Sequence, residues 1–173
     1  MDLTLQKRLE KLLCAYSRYY DITREVPVGG EVFPAFAAFH LRDENYLLSR
    51  RHVLNAVENH EYVYFYLAER LDAAGLSRLI DLTKADGLGK IHPHKEHMST
   101  RVTLVVLAER IEPEAQVLIR KTRFRKDFLF SFHGWMEYRL AAMETGTGQF
   151  FSNPAGRQTR KTLETNFGEN NRR

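Results

Sequence analysis

The chain has 173 residues, 43% hydrophobic and 28% charged, which suits one globular domain, because a core of this size buries about 70% of the unfolded surface. No apolar run approaches the roughly 20 residues needed to span a bilayer. The amino terminus lacks the basic region, apolar core and small-residue cleavage site of a signal peptide, so a cytoplasmic address without membrane contact is expected. The single cysteine, Cys14, excludes an internal disulfide, and a net charge of +4 with an isoelectric point of about 9.2 makes the molecule mildly basic.

Leu5, Leu9, Leu12, Leu13 and Tyr16 recur at helical spacing with Lys7, Arg8, Glu10 and Lys11 opposite, predicting an amphipathic helix over residues 2 to 19. Cys14 on that helix reads as a packed thiol rather than a nucleophile. Gly29-Gly30 breaks the chain before the apolar run 33 to 41, which Arg42-Asp43-Glu44-Asn45 closes as a turn before Tyr46-Leu47-Leu48, predicting a hairpin. Pro34 early in the run predicts a strand start or a sheet edge.

Two segments forty positions apart then carry the same text, Tyr62 to Asp72 and Arg101 to Glu112, each an apolar run that changes to helical periodicity at Leu-Ala-Glu-Arg. They predict buried central strands at 61 to 68 and 101 to 109, each feeding a helix. The first helix is expected from about residue 71 to 85, ended by Asp86-Gly87-Leu88-Gly89, and the second begins at Glu112-Pro113-Glu114. Strands joined through helices favour parallel, right-handed crossovers. From Phe128 to Met143 the chain reads as one long strand, with Phe128, Phe130, Phe132, Met136, Tyr138 and Leu140 on a core face and a bend at Gly134. Turns at 146 to 148 and 153 to 156 predict antiparallel additions. The whole reads as a single α+β domain over residues 1–165. It has a mixed β-sheet, two βα units in the middle, an N-terminal amphipathic helix and a C-terminal antiparallel meander, and a frayed polar tail at 166–173 follows.

The chemistry is less explicit. In Arg120-Lys121-Thr122-Arg123-Phe124-Arg125-Lys126 five of seven residues are basic, and Arg157, Arg160 and Lys161 follow. These eight are the candidate polyanion-binding residues, although cations at a helix end also serve the helix dipole. His92, His94 and His97 have the number and nearness of zinc ligands, with Glu96 as a base, but Lys90 and Lys95 beside them repel a dication. Glu58-Asn59-His60-Glu61 opens a central strand at its amino end, whereas Glu69, Arg70, Glu109 and Arg110 occupy the carboxyl rim, where open sheets bind ligands. His133 and Trp135 share parity with Glu137 and Arg139, either under a helix or as an exposed stacking surface.

An opening helix, three strands, a helix and a further strand resemble, in element order over the first 110 positions, the core of the restriction-endonuclease-like nucleases. That resemblance implies an acid on one strand and an acid-any-lysine triplet on the next. Here Asp43 and Glu44 read as turn residues, Glu61 opens the third strand, and Val63 stands where lysine is required. Asp86-Gly87-Leu88-Gly89-Lys90 resembles a phosphate loop, but its position reads as a helix end.

The leading expectation is a small cytoplasmic binding or regulatory domain, non-catalytic and without cofactor, with nucleic acid as the most concrete partner. One alternative is a metal-dependent hydrolase using His92, His94 and His97. A third is an interaction module that pairs with itself as a homo-oligomer.

Overall fold

The computed structural model describes residues 3–46, 53–95 and 97–168. Among these residues the chain forms four helices and a seven-stranded mixed sheet. The elements in order are α1 (Leu3–Tyr16), β1 (Asp21–Val28), β2 (Glu31–Tyr46), β3 (Val53–Leu71), α2 (Ala73–Gly89), β4 (His97–Ile111), α3 (Pro113–Lys121), β5 (Arg125–Asp127), β6 (Trp135–Glu144), β7 (Gln149–Ser152) and α4 (Arg157–Phe167). The sheet order is β1-β2-β3-β4-β6-β5, with β7 also on β6. β1, β2 and β3 are antiparallel neighbours, β3, β4 and β6 are mutually parallel, and β5 and β7 run antiparallel to β6. The α+β class, the mixed sheet and the central place of the two repeated strands are therefore as the sequence predicts.

Alternation along β3, β4 and β6 sends each residue to one of two faces. Tyr64, Leu104, Tyr138 and Leu140 pack with Leu76 and Leu79 of α2 and Ile119 of α3. Val63, Phe65, Val105, Leu107 and Ala141 pack with Leu5, Leu9, Leu12 and Leu13 of α1 and Leu163 of α4. Helices on both sides remove the sheet from water, which is why the central strands read as continuous apolar runs. Polar groups inside the first layer are paired: the Tyr64 hydroxyl donates to Asp86 at 2.5 Å, and Tyr138 and Thr83 share a 2.7 Å hydrogen bond.

Several local expectations are corrected. Leu67–Arg70 and Leu107–Arg110 stay extended, because they pair with each other, Leu67 beside Leu107, Ala68 beside Ala108 and Arg70 beside Arg110. Helix α2 begins only after Asp72, whose Oδ1 accepts the Gly75 amide at 2.7 Å. It also runs through Gly87 to Gly89 rather than stopping at 85. Gly87 is a close-packing residue, since a Cβ there would stand 2.5 Å from Val102 Cγ2.

Residues 42–45 form no turn but continue β2 against β3 in regular register. Leu47 and Leu48, expected in the second hairpin strand, lie outside the described residues. Pro34 lies in a strand flanked on both sides, tolerated because the β2–β3 ladder begins only at Ala35 and β1 bulges at Glu25, which has φ of 50°. Cys14 is exposed, since it lies one residue beyond Leu13 and the helical advance turns it away from the sheet.

The largest correction concerns the long aromatic stretch. The strand starts at Trp135, and residues 128–134 fold into a compact turn in which Phe128 N donates to Gly134 O and His133 N to Phe128 O. Leu129, Phe130 and Ser131 take positive φ values of 48°, 52° and 69°. Phe130 and Phe132 are therefore not core residues but 92% and 77% exposed. The segment after Asn153-Pro154-Ala155-Gly156 is helix α4, not a further strand, and it carries Asn166 and Phe167 within its last turn.

Candidate nucleic-acid interface

The basic residues have distinct structural situations. Arg120 and Lys121 occupy the last turn of α3, where cations suit the negative helix end, and the Arg120 guanidinium lies 5.2 Å from the Phe151 ring centroid. Arg123 Nη1 donates to the Arg120 and Thr122 carbonyls at 2.7 and 2.9 Å, closing the same helix. Arg125 projects over Trp135 at 4.9 Å and pairs with Asp127 at 3.0 Å. The hydrogen bond from Arg125 holds the Asp127 carboxyl below its ordinary range, with a second from Ser131 Oγ at 2.5 Å. Lys126 lies over the ring of Phe128.

Arg157, Arg160 and Lys161 are exposed in the first turns of α4, and no acid accompanies Arg157 in the opening turn. Arg160 pairs with Glu164 one turn on, at 2.9 Å. A cation in the opening turn, such as Arg157, opposes the helix dipole at a cost of about 0.3–1 kcal/mol. The dipole therefore accounts for Arg120 and Lys121 but not for Arg157 and Lys161.

Asn153 ties the two basic segments together. β5 and β7 share one edge of β6 but leave Tyr138–Leu140 between them without a strand partner. The Asn153 side chain fills that gap as a peptide group would: Nδ2 donates to Tyr138 O at 3.0 Å and Oδ1 accepts from Leu140 N at 3.0 Å. The same amide reaches Thr122 O at 3.3 Å and accepts the Gly156 amide at 2.7 Å. The end of α3 and the start of α4 are thus fixed to one buried residue. Beside it opens a cavity of about 410 Å³ lined by Arg123, Phe124, Arg125, Glu137 and Asn153.

A second polar group lies on the α1/α4 face, at the amino ends of the parallel strands. Glu61, Arg101 and Glu137 stand side by side across β3, β4 and β6, with Arg125 of β5 next to Glu137. Tyr20 donates to Glu61 Oε2 at 3.0 Å, Thr103 Oγ1 approaches Oε1 at 3.5 Å, and Arg139 pairs with Glu137 at 3.3 Å. A cavity of about 210 Å³ lies here between Tyr16, Tyr20, Glu61, Arg139, Gln158 and Thr162. Burial, reinforced by the Glu61 charge, pushes the Tyr16 and Tyr20 hydroxyls far above the usual phenol range. Parity was the available signal for this group: Glu61, Arg101, Glu137 and Arg139 all share the face that carries Val63, Phe65, Val105 and Ala141 further along the same strands.

The histidines do not assemble as ligands. His97 is buried, with Nδ1 2.6 Å from the His133 carbonyl and Nε2 2.9 Å from Thr100 Oγ1, so both ring nitrogens are engaged inside the fold. His92 is exposed on the connecting loop, and the His94 ring centroid lies 6.3 Å from that of His97. Among the described residues no three His, Cys, Asp or Glu side chains converge on a metal position. The metal-ligand expectation for His92, His94 and His97 is not met by this arrangement.

The carboxyl rim is occupied by ion pairs, since Arg70 and Arg110 both reach Glu112, at 2.7 and 3.2 Å. His133 sits in the aromatic turn rather than on the strand. Trp135, Glu137 and Arg139 are partly covered on the α1/α4 face. Val63, at the position where the nuclease pattern requires lysine, is fully buried against α1. The acid-any-lysine triplet of that nuclease pattern is therefore not formed at Val63.

Among the described residues no helix is long and apolar enough to cross a membrane. No curated protein and no solved structure matches the chain. A family described as a domain of unknown function (DUF8052) matches residues 4–165, nearly the whole of the fold described above, and the chain belongs to that family.

Proposed function

We propose that this domain binds a polyanion, specifically single-stranded nucleic acid, along the surface formed by the α3–β5 segment, the turn 128–134 and the start of α4. The observation that carries this reading is the placement of Arg157 in the opening turn of α4, where the fold's own electrostatics oppose it, with Lys161 exposed one turn on and a second basic segment beside them. A phosphate backbone supplies the missing counter-charge. The turn supports the same reading, because three consecutive non-glycine residues in left-handed backbone cost about 1–3 kcal/mol each, and what they present is Phe130 and Phe132 in solvent. Exposed rings flanked by Arg125 and Lys126 suit base stacking, in which every base offers a π-face.

The test is binding of labelled dT12 by the purified chain and by the Lys126→Ala/Arg157→Ala/Lys161→Ala variant across a salt series. Affinity should fall steeply with salt, and each lost phosphate contact should lower the slope by about 1. No binding by the parent at low salt sinks the proposal.

The exposed Leu129, Phe130 and Phe132 also favour a second reading, self-association through the turn. Sedimentation of the parent against Phe130→Ser/Phe132→Ser separates the two: assembly predicts a change of mass, and stacking predicts a monomer with weakened dT12 binding.

A further inference from the structure

The Glu61 cavity is polar in a way that phosphate binding does not explain, because a carboxylate repels the backbone that Arg157 and Lys161 attract. It is nevertheless contiguous with the basic surface. The Glu137–Arg139 pair joins them, Glu137 lining the Arg123/Arg125 cavity and Arg139 the Glu61 cavity. Gln158 and Thr162 of α4 form the Glu61 wall, while Arg157 and Lys161 of the same turns face solvent. A strand following the basic residues passes the mouth of this cavity.

We infer that the cavity takes one unstacked guanine base, read by the Glu61 carboxylate; the inference rests on the nucleic-acid reading above. A carboxylate offers only acceptors, so the base edge facing it needs donors. The Watson–Crick edge of guanine places two donors side by side, N1–H and N2–H, to meet the two carboxylate oxygens. Cytosine and adenine pair one amino donor with an acceptor, and thymine places a single N3–H between two carbonyls, so each sets an acceptor against Glu61.

Tyr20 and Thr103 hold the carboxylate from within the protein, and a carboxylate has about four acceptor positions, so capacity for the base remains. Arg139 donates to Glu137 through Nε and Nη2, both at 3.3 Å, leaving further guanidinium N–H groups for the guanine O6 on the same base edge. Tyr16 and Tyr20, with ring centroids 4.9 Å apart, supply an aromatic wall. At about 210 Å³ the cavity lies below the roughly 300 Å³ at which drug-sized pockets begin, so it suits one base rather than a whole nucleotide.

The experiment compares dT12 with the same oligonucleotide carrying one central guanine, and with single cytosine or adenine replacements, on the full chain and on Glu61→Gln. A lone guanine keeps the probe from forming quadruplexes. The expected result is about tenfold tighter binding of the guanine probe, and loss of that preference in Glu61→Gln, whose dT12 affinity should be no weaker than the parent's. A circular dichroism spectrum and thermal melt of Glu61→Gln matching those of the parent guard against a folding effect. Salt-dependent binding with equal affinity for all four probes overturns the guanine assignment and leaves the polyanion reading standing. Absence of binding to every probe overturns both.

Discussion

Replacing Asn153 should cost more than any surface substitution in this chain. The side chain is 1% exposed and stands in for a strand between β5 and β7. Of the four backbone groups it satisfies, two keep other partners in Asn153→Ala: Gly156 N still donates to Asn153 O at 3.1 Å, and Thr122 O still receives Arg123 Nη1 at 2.9 Å. Leu140 N–H and Tyr138 C=O lose their partner on the β5/β7 edge of β6. At about 1–3 kcal/mol for each buried unpaired group, the loss comes to about 4 kcal/mol. Urea unfolding followed by circular dichroism, with m unchanged, reads this directly.

Asn153→Asp adds a qualitative check. It keeps the acceptor for Leu140 but turns a second acceptor toward Tyr138 O, so protonation, which restores a donor, raises the folded-state pKa above the unfolded one. Its stability should therefore improve as pH falls through that raised value and be lost as pH rises. A loss below about 1 kcal/mol in Asn153→Ala, or an Asn153→Asp deficit independent of pH, refutes the strand-mimic account.

Gly87→Ala gains about 1 kcal/mol of helix propensity yet should destabilise by about 1–3 kcal/mol, because the new Cβ meets both Val102 methyls within 2.8 Å; a more stable variant in thermal melts contradicts the packing role. Burial pushes the hydroxyls of Tyr16, Tyr20, Tyr64 and Tyr138 upward, with Asp86 also raising Tyr64, so ultraviolet titration should show these four of the eight tyrosines silent until unfolding. Their contribution is full below pH of about 10 and lost above it, since the unfolded phenols ionise first; eight phenols titrating together at that pH in folded protein would contradict the burial. Hydrogen bonding to Arg24 holds the Glu10 carboxyl below its ordinary value. Acidification below about pH 4.3 should therefore cost only a few tenths of a kcal/mol for so exposed a pair, measurable as the difference between the parent and Glu10→Gln.

Periodicity made the amphipathic α1 and the two central strands legible, because burial of one stripe or of both faces leaves a direct trace in residue type. It failed where backbone conformation overrode alternation: Phe130 and Phe132 match Met136, Tyr138 and Leu140 in parity yet are exposed, while Phe128 packs against the core, and no side-chain pattern announces left-handed φ at Leu129, Phe130 and Ser131. Leu-Ala-Glu-Arg is a good helix sequence held as strand by its own second copy. At the interface the basic residues were visible singly, but their connection was not, because it passes through one asparagine thirteen or more residues from the groups it binds in β6 and at the end of α3. The Glu61 group was named piecemeal in the sequence. Only the register of β3, β4 and β6 aligns its members.

That register lays a duplicated tetrad against itself, Leu67 to Arg70 beside Leu107 to Arg110. Over those positions the two strands are interchangeable, so nothing in them tells a folding chain which belongs next to β2 and which next to β6. The distinction falls to the preceding residues, Tyr62, Tyr64 and Tyr66 in one strand and Val102, Leu104 and Val106 in the other, whose bulk matches Phe33 and Phe36 on one side and Tyr138 on the other. The aromatic half of β3 thereby acts as an address label for strand order, and its aliphatic replacement would cost assembly fidelity as well as equilibrium stability.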